Sequence, residues 1–174
     1  WLNFFVKPWV LIPRNDTEIM VNQVINKVNT NLKNTYSLID IWTWSSCILT
    51  SISKNCTNLS GIYWIDISRK ALRIAKKNIK IHNLKDKIKL KKWSLLSTIN
   101  KLKNLEKNLI KTANLPYIKD KDYINMDKSV IKYEPKIALY WGKETWFELY
   151  EKLIMQCLNE KDKYSFFLDN NHSL

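Results

Sequence analysis

Glycine is almost absent. The chain of 174 residues holds two, Gly61 and Gly142, where the ordinary ~7% would give about 12. Glycine adopts φ > 0 without steric cost, so a fold with tight turns has few residues to build them from. Metal ligands are scarce too. The two histidines, His82 and His172, stand apart, and the three cysteines, Cys47, Cys56 and Cys157, show no CxxC spacing. This argues against a metal centre, and the odd cysteine number argues against a disulfide framework. A reduced, cytoplasmic protein is the simple reading. No apolar run approaches the ~20 residues of a membrane span. The N-terminal WLNFFVKPWVLIP is apolar, but it carries Lys7 and two prolines and lacks a small-residue cleavage site. It is therefore not read as a signal peptide.

Two residue types are in surplus. Tryptophan occurs eight times, and Lys and Arg outnumber Asp and Glu by 29 to 16, a net charge of +13. Such a charge suits an anionic partner such as RNA or a ribosome. It also suits an AT-rich genome, in which Lys, Asn and Ile abound together. The lysines read as spread along the chain and not interleaved with aromatics, which favours the second explanation. The length and the 45% apolar fraction fit one domain with one sizeable core.

Residues 1–13 read as a short β-hairpin or an extended arm. Asp16 is placed as the N-cap of a helix whose Ile19, Met20, Val24 and Val28 recur at helical spacing to about Lys33. Strands are predicted at 37–41, 61–67, 88–91, 109–113 and 164–168. Helices are predicted up to residue 55, after Ser68 for about 15 residues with Ala71, Leu72, Ala75, Ile79 and His82 on one side, over 95–107, and over 145–159. Strands alternating with helices indicate a parallel α/β sheet, whose ligand sits at the strand carboxyl ends.

Three features fall at those ends. The first is the turn from Asp40 to Cys47, DIWTWSSC. The second is Asp66, about 20 residues further on, where an acid typically holds ribose hydroxyls. The third is Asn114-Leu115-Pro116-Tyr117. Singly each is weak: an acid at a strand end is more often a helix-cap or surface residue, and Asn-x-Pro-Tyr can be a mere turn. Their order and spacing together are more specific.

On these residues the sequence resembles the release factor glutamine methyltransferase family (the PrmC/HemK proteins), within the class I S-adenosylmethionine (SAM) dependent methyltransferases. Residues 8–18, PWVLIPRNDTE, resemble the family's PGVLIPRPDTE, and DIWTWSSC resembles DIGTGSGC. Trp64-Ile65-Asp66-Ile67-Ser68 with Ala71, Leu72 and Ala75 resembles G-x-D-I-S-x-x-A-L-x-x-A. Residues 114–117 resemble NPPY. Glu134-Pro135 with Ala138, Leu139, Trp141 and Gly142 resembles EPxxALxGG, and Thr145, Trp146 and Tyr150 resemble the stretch after it.

The resemblance implies a Rossmann-like sheet, here truncated after the fifth strand, with residues 1–34 as a hairpin/helix lead-in and 35–174 as the core. It implies that the family's N-terminal recognition domain is absent and that the chain is a fragment with an exposed sheet edge. The implied reaction moves a methyl group from SAM to the side-chain amide nitrogen of the glutamine in a Gly-Gly-Gln motif of peptide chain release factors. Asn114 Oδ1 and the Leu115 carbonyl are implied to accept hydrogen bonds from that amide, with Pro116 and Tyr117 completing the motif. Tyr117 packs against the substrate side chain or simply into the protein. The cofactor set implied is Trp42, Thr43, Trp44, Ser45, Ser46, Asp66, Ser94, Leu95 and Asn114. Pro13, Arg14 and Glu18 match the motif as structural or lid residues. The implied partners are release factors, with no membrane, no direct DNA binding, no metal, and a monomeric state. Methylation of adenine in DNA, methylation of a ribosomal-protein glutamine, and a non-enzymatic nucleic-acid-binding remnant are the alternatives.

The departures share one direction. Trp9, Trp42, Trp44 and Trp141 stand where the family has glycine, Trp64 and Trp146 where glycine is common, and Trp1 and Trp93 are compatible with it. Read as glycine, the eight would join the two present to give ten, close to the ordinary ~7%. The expectation is that these codons are UGA, assigned to glycine by the cell; UGG codons in the gene would exclude it. Ser46 replaces the third loop glycine, Ser94 stands where the family often has an Asp near the adenine, and Leu115 replaces a proline.

Overall fold

The computed structural model describes residues 2–8, 10, 15–42, 44–95, 101–102, 104–116, 148–158 and 164–168. Within these the chain runs α1 (Asn15–Asn29), β1 (Tyr36–Ile41), α2 (Cys47–Asn55), β2 (Leu59–Asp66), α3 (Arg69–Ile81), β3 (Ile88–Lys92), β4 (Asn108–Ala113), α4 (Glu148–Leu158) and β5 (Tyr164–Leu168). The strands form one parallel sheet in the order β3-β2-β1-β4-β5. β1 is buried throughout and β4 nearly so, as expected for strands covered on both faces. One core cluster joins α1, α2 and α3 to the sheet through Val24, Val28, Leu38, Ile48, Ala75 and Ile110. A second joins α4 to the opposite face through Ile39, Ile65, Leu109 and Leu153.

This strand order fixes where a ligand can go. The direction of winding reverses between β1 and β4, and in sheets of this kind a ligand binds outside the carboxyl ends at that point. β1 and β4 are neighbours in register, Ile41 opposite Ala113. The turn after β1 and the Asn114 segment after β4 therefore leave the sheet side by side.

The predicted strands stand, with ends moved by a residue or two. Ser68 caps α3 as predicted, its Oγ accepting the Ala71 N–H at 3.3 Å. The helix over 95–107 is not found at residues 102 and 104–107, which lack helical structure. There the chain is tied to the sheet instead: the Glu106 N–H donates to Ser37 Oγ at 2.7 Å, and Ser60 Oγ donates to Glu106 Oε1 at 2.7 Å. Asn104 is left-handed, with φ of 59°. α1 begins at Asn15, one residue before the predicted cap, and ends at Asn29 in an Asn/Thr-rich stretch with low helix propensity. Ile19 is exposed; Thr17, Met20, Val24 and Val28 are the buried stripe. Among residues 2–8 the arm makes no strand but lies along α3. Asn78 Oδ1 accepts the Phe5 N–H at 2.7 Å, and Asn78 Nδ2 donates to the Phe5 carbonyl at 3.0 Å. The Phe4 ring lies 5.1 Å from the His82 ring. The Glu134–Tyr140 segment and the tryptophans at 1, 9, 141 and 146 lie outside the described residues. No described helix is long and apolar enough to cross a membrane.

Candidate functional site

The turn between β1 and α2 is built from left-handed residues. Trp42 has φ of 62°, Trp44 of 47° and Ser46 of 65°. These are the three positions at which the resemblance expects glycine. A non-glycine residue in this region costs roughly 1–2 kcal/mol, and for a bulky one it is an outlier. The two indoles lie parallel within 23°, centroids 6.4 Å apart, and both are buried. Trp42 belongs to the α4-side core cluster and Trp44 to the opposite one. Nε1 of Trp44 and Nε1 of Trp64 are buried donors with no acceptor among the described residues. Trp64 sits in β2 without a positive φ, so conformation sets positions 42 and 44 apart but not 64.

The loop is held from outside. Ser46 is the N-cap of α2 but makes no side-chain cap bond. Its neighbour's carbonyl, Ser45 O, accepts from Asn78 Nδ2 at 2.9 Å, and Asn78 is fully buried. The same amide thus grips the arm and the loop. Nothing in the motif readings singled Asn78 out; the only available signal was a polar residue on the apolar side of α3.

Asp40, next to last in β1, and Asp66, the last residue of β2, are both fully buried. Asp40 Oδ1 accepts from Thr112 Oγ1 at 2.7 Å, its in-register partner on β4. Asp66 Oδ1 accepts the Ser68 N–H at 2.6 Å, whereas Oδ2 is buried without a partner among the described residues. Burial pushes the Asp66 carboxyl up to about 7. Backbone N–H groups of Ser68, Trp44 and Ile67 pull the other way, and the Asp40 charge adds to the rise.

After β4, Asn114, Leu115 and Pro116 are all buried. Tyr150 of α4 clamps this segment: its Oη accepts the Leu115 N–H and donates to the Leu115 carbonyl, each at 3.3 Å. The family resemblance matches Tyr150 to a motif but gives it no role. Leu95 is buried and left-handed with φ of 49°, while Ser94 beside it is exposed. Thr43 and Tyr117 lie outside the described residues. Cys47, at the start of α2, has its thiol pushed up to about 12 by burial, which leaves it protonated and unreactive.

The structure therefore brings together Trp42, Trp44, Ser45, Ser46, Asp66, Asn114, Leu115 and Pro116 at one end of the sheet. An unpartnered carboxylate oxygen suits the hydroxyls of a ribose. Two buried indoles in the turn do not suit a cofactor that needs close backbone approach.

The chain is 36% identical over 157 residues to the release factor glutamine methyltransferase of Clostridium botulinum, covering 90% of this chain and 53% of that protein. It is 39% identical over 137 residues to the release factor glutamine methyltransferase of Mycoplasma mycoides subsp. mycoides, covering 79% and 46%. It thus spans about half the length of these curated relatives. Among solved structures, the N-terminal domain of human METTL16 in complex with SAH superposes with a TM-score of 0.66 at 20% identity, covering 99% of this chain and 63% of that one. No family model matches the chain. On sequence and on fold together, the chain is a relative of the release factor glutamine methyltransferases, built on the class I SAM-dependent methyltransferase fold.

Proposed function

We propose that the protein of which this chain is part methylates the side-chain amide nitrogen of the Gly-Gly-Gln glutamine in peptide chain release factors, using SAM. The observation that carries the reading is the adjacency of the Asn114 segment and the β1 turn across the β1–β4 switch point, with Asp66 closing the next strand. The relatives named release factor glutamine methyltransferase support the substrate.

Bound SAM would supply an electrophilic methyl group on a sulfonium. Asp66 Oδ2 would accept from the ribose. An amide nitrogen is a poor nucleophile, and no histidine occurs among the residues brought together here. The contribution is therefore orientation. Asn114 Oδ1 and the Leu115 carbonyl accept from the amide NH₂ and hold the nitrogen in line with the methyl group. Tyr150 Oη takes one acceptor site of the Leu115 carbonyl and leaves the other for the substrate. Such positioning supplies up to roughly 7–11 kcal/mol in ideal cases, and the acceptors also favour the positive charge developing on nitrogen.

The loop glycines belong to the same proposal. Trp42 and Trp44 stand on glycine-type backbone and fill the space that a cofactor needs. The cell's own product would carry glycine there. The experiment is a labelled-SAM assay on a Gly-Gly-Gln release factor with the gene's full product, made with tryptophan or with glycine at 42 and 44. Methylation is expected only from the glycine form, and Asn114→Ala in that form should abolish turnover while S-adenosylhomocysteine still binds. Turnover by the Asn114→Ala protein would sink the assignment.

A further inference from the structure

The positive charge is not spread evenly. Residues 69–92 carry eleven basic residues against one acid, Asp86, a net of +10 out of the chain's +13. The expectation of dispersed lysines thus fails for this stretch, and the fold sets its cations on one helix face and the strand beside it. α3 contributes Arg69, Lys70, Arg73, Lys76, Lys77 and Lys80, every one exposed, while Ala71, Ala75, Asn78 and Ile79 face the core. Five more lysines lie between residues 85 and 92, in the turn after α3 and along β3, and only Lys91 is not fully exposed. Ile79, Leu84 and Ile88 share one core cluster, so α3 and β3 meet at the same end of the sheet. β3 ends the strand order as described.

We infer that the outer face of α3, with the turn and β3 beside it, is a docking surface for RNA. A protein partner of ordinary kind needs an apolar centre with aromatic anchors. On α3 the one exposed large apolar residue is Ile81, at the helix end. A phosphate backbone needs cations without an apolar centre. Nine of the eleven cations are lysines and two are arginines. Lysine meets phosphate as a point charge, whereas paired reading of base edges favours arginine. The surface is thus suited to sequence-independent contact. Lysine on an edge strand also discourages strand pairing, which accounts for β3 but not for the six cations of α3. RNA is the polyanion that surrounds release factors, the substrates proposed above, so this choice rests on the proposed function. The binding itself does not.

The experiment is fluorescence anisotropy with a labelled RNA of about 20 nucleotides, across a salt series. Two triple variants remove the same charge: Arg73→Gln/Lys76→Gln/Lys80→Gln on the surface, and Lys27→Gln/Lys33→Gln/Lys54→Gln on α1, in the turn between α1 and β1, and on α2. All six positions are exposed. The α3 triple should weaken binding at low salt by about tenfold and reduce the slope of log K against log salt by about 2. The control triple should leave most of the affinity. Equal weakening by both triples would show that net charge alone acts and would overturn the surface. Absence of RNA binding by the parent, or a preference for duplex DNA over RNA, would overturn it too. Methylation is not read in this assay, so its outcome is separate from that of the proposed reaction.

Discussion

Trp42 and Trp44 differ from Ser46 in size and polarity, but all three share a left-handed φ. Backbone conformation, not side chain, is the common property of these positions, and it is the property glycine supplies. Asp66 shows the opposite case, a side chain whose setting defines its chemistry. Its carboxyl is raised to about 7, chiefly by burial, from an ordinary value near 3.8. Below the ordinary value both folded and unfolded chains hold the proton, and the stability linked to it is fully present. As pH rises toward 7 the unfolded chain has released the proton and the folded chain has not, so stability falls until the folded group ionises. Asp66→Asn should therefore flatten the decline in melting temperature between about pH 4 and 7. Parallel curves for parent and variant would show that Asp66 does not carry it. The position of Asp66 was legible from spacing alone. Its orphaned Oδ2 and its raised carboxyl were not, because both depend on what buries it.

At the scale of elements, Gly61 is the one described glycine, and it has a task. It lies in β2 at φ of 61°, where the pairing with β1 slips between Tyr36 and Leu38. A Cβ there would collide with the Asn104 carbonyl and Ser37 Oγ. This is a β-bulge that needs both the left-handed backbone and the missing side chain. Gly61→Ala should cost more than about 2 kcal/mol, measured by urea unfolding; a loss under about 0.5 kcal/mol would contradict the bulge. The strands themselves were legible because buried parallel strands read as short apolar runs bounded by polar turns. Residues 104–107 read as helix in the sequence, because the bonds that hold them to the sheet come from Ser37 and Ser60, far away in the chain. The basic face was misread for a similar reason. Lysines three and four apart look dispersed in a string and adjacent on a helix.

At the scale of the molecule, distant segments meet at Asn78. Its amide accepts from Phe5 N–H, donates to the Phe5 carbonyl, and donates to the Ser45 carbonyl. The first two partners are 73 residues away and the third 33. A buried amide left without partners costs about 1–3 kcal/mol, so the three bonds stand or fall together more than separate surface bonds would. The arm is therefore part of what holds the β1–α2 loop in shape, although residues 2–8 form no strand themselves. Phe5→Pro tests the link without altering the loop: it deletes the N–H that Asn78 Oδ1 accepts, together with the ring that lies under Lys77 Nζ, and Phe5→Ala, which loses the ring and keeps the N–H, is the control. Amide exchange over residues 44–50 should accelerate by about fivefold in the proline variant, the equivalent of one net hydrogen bond of about 1 kcal/mol. Exchange in β1 and β4 should stay unchanged. Loop exchange equal to the parent's would show that arm and loop are held independently. A uniform rise across the sheet would mean that Phe5 supports global stability and not the loop.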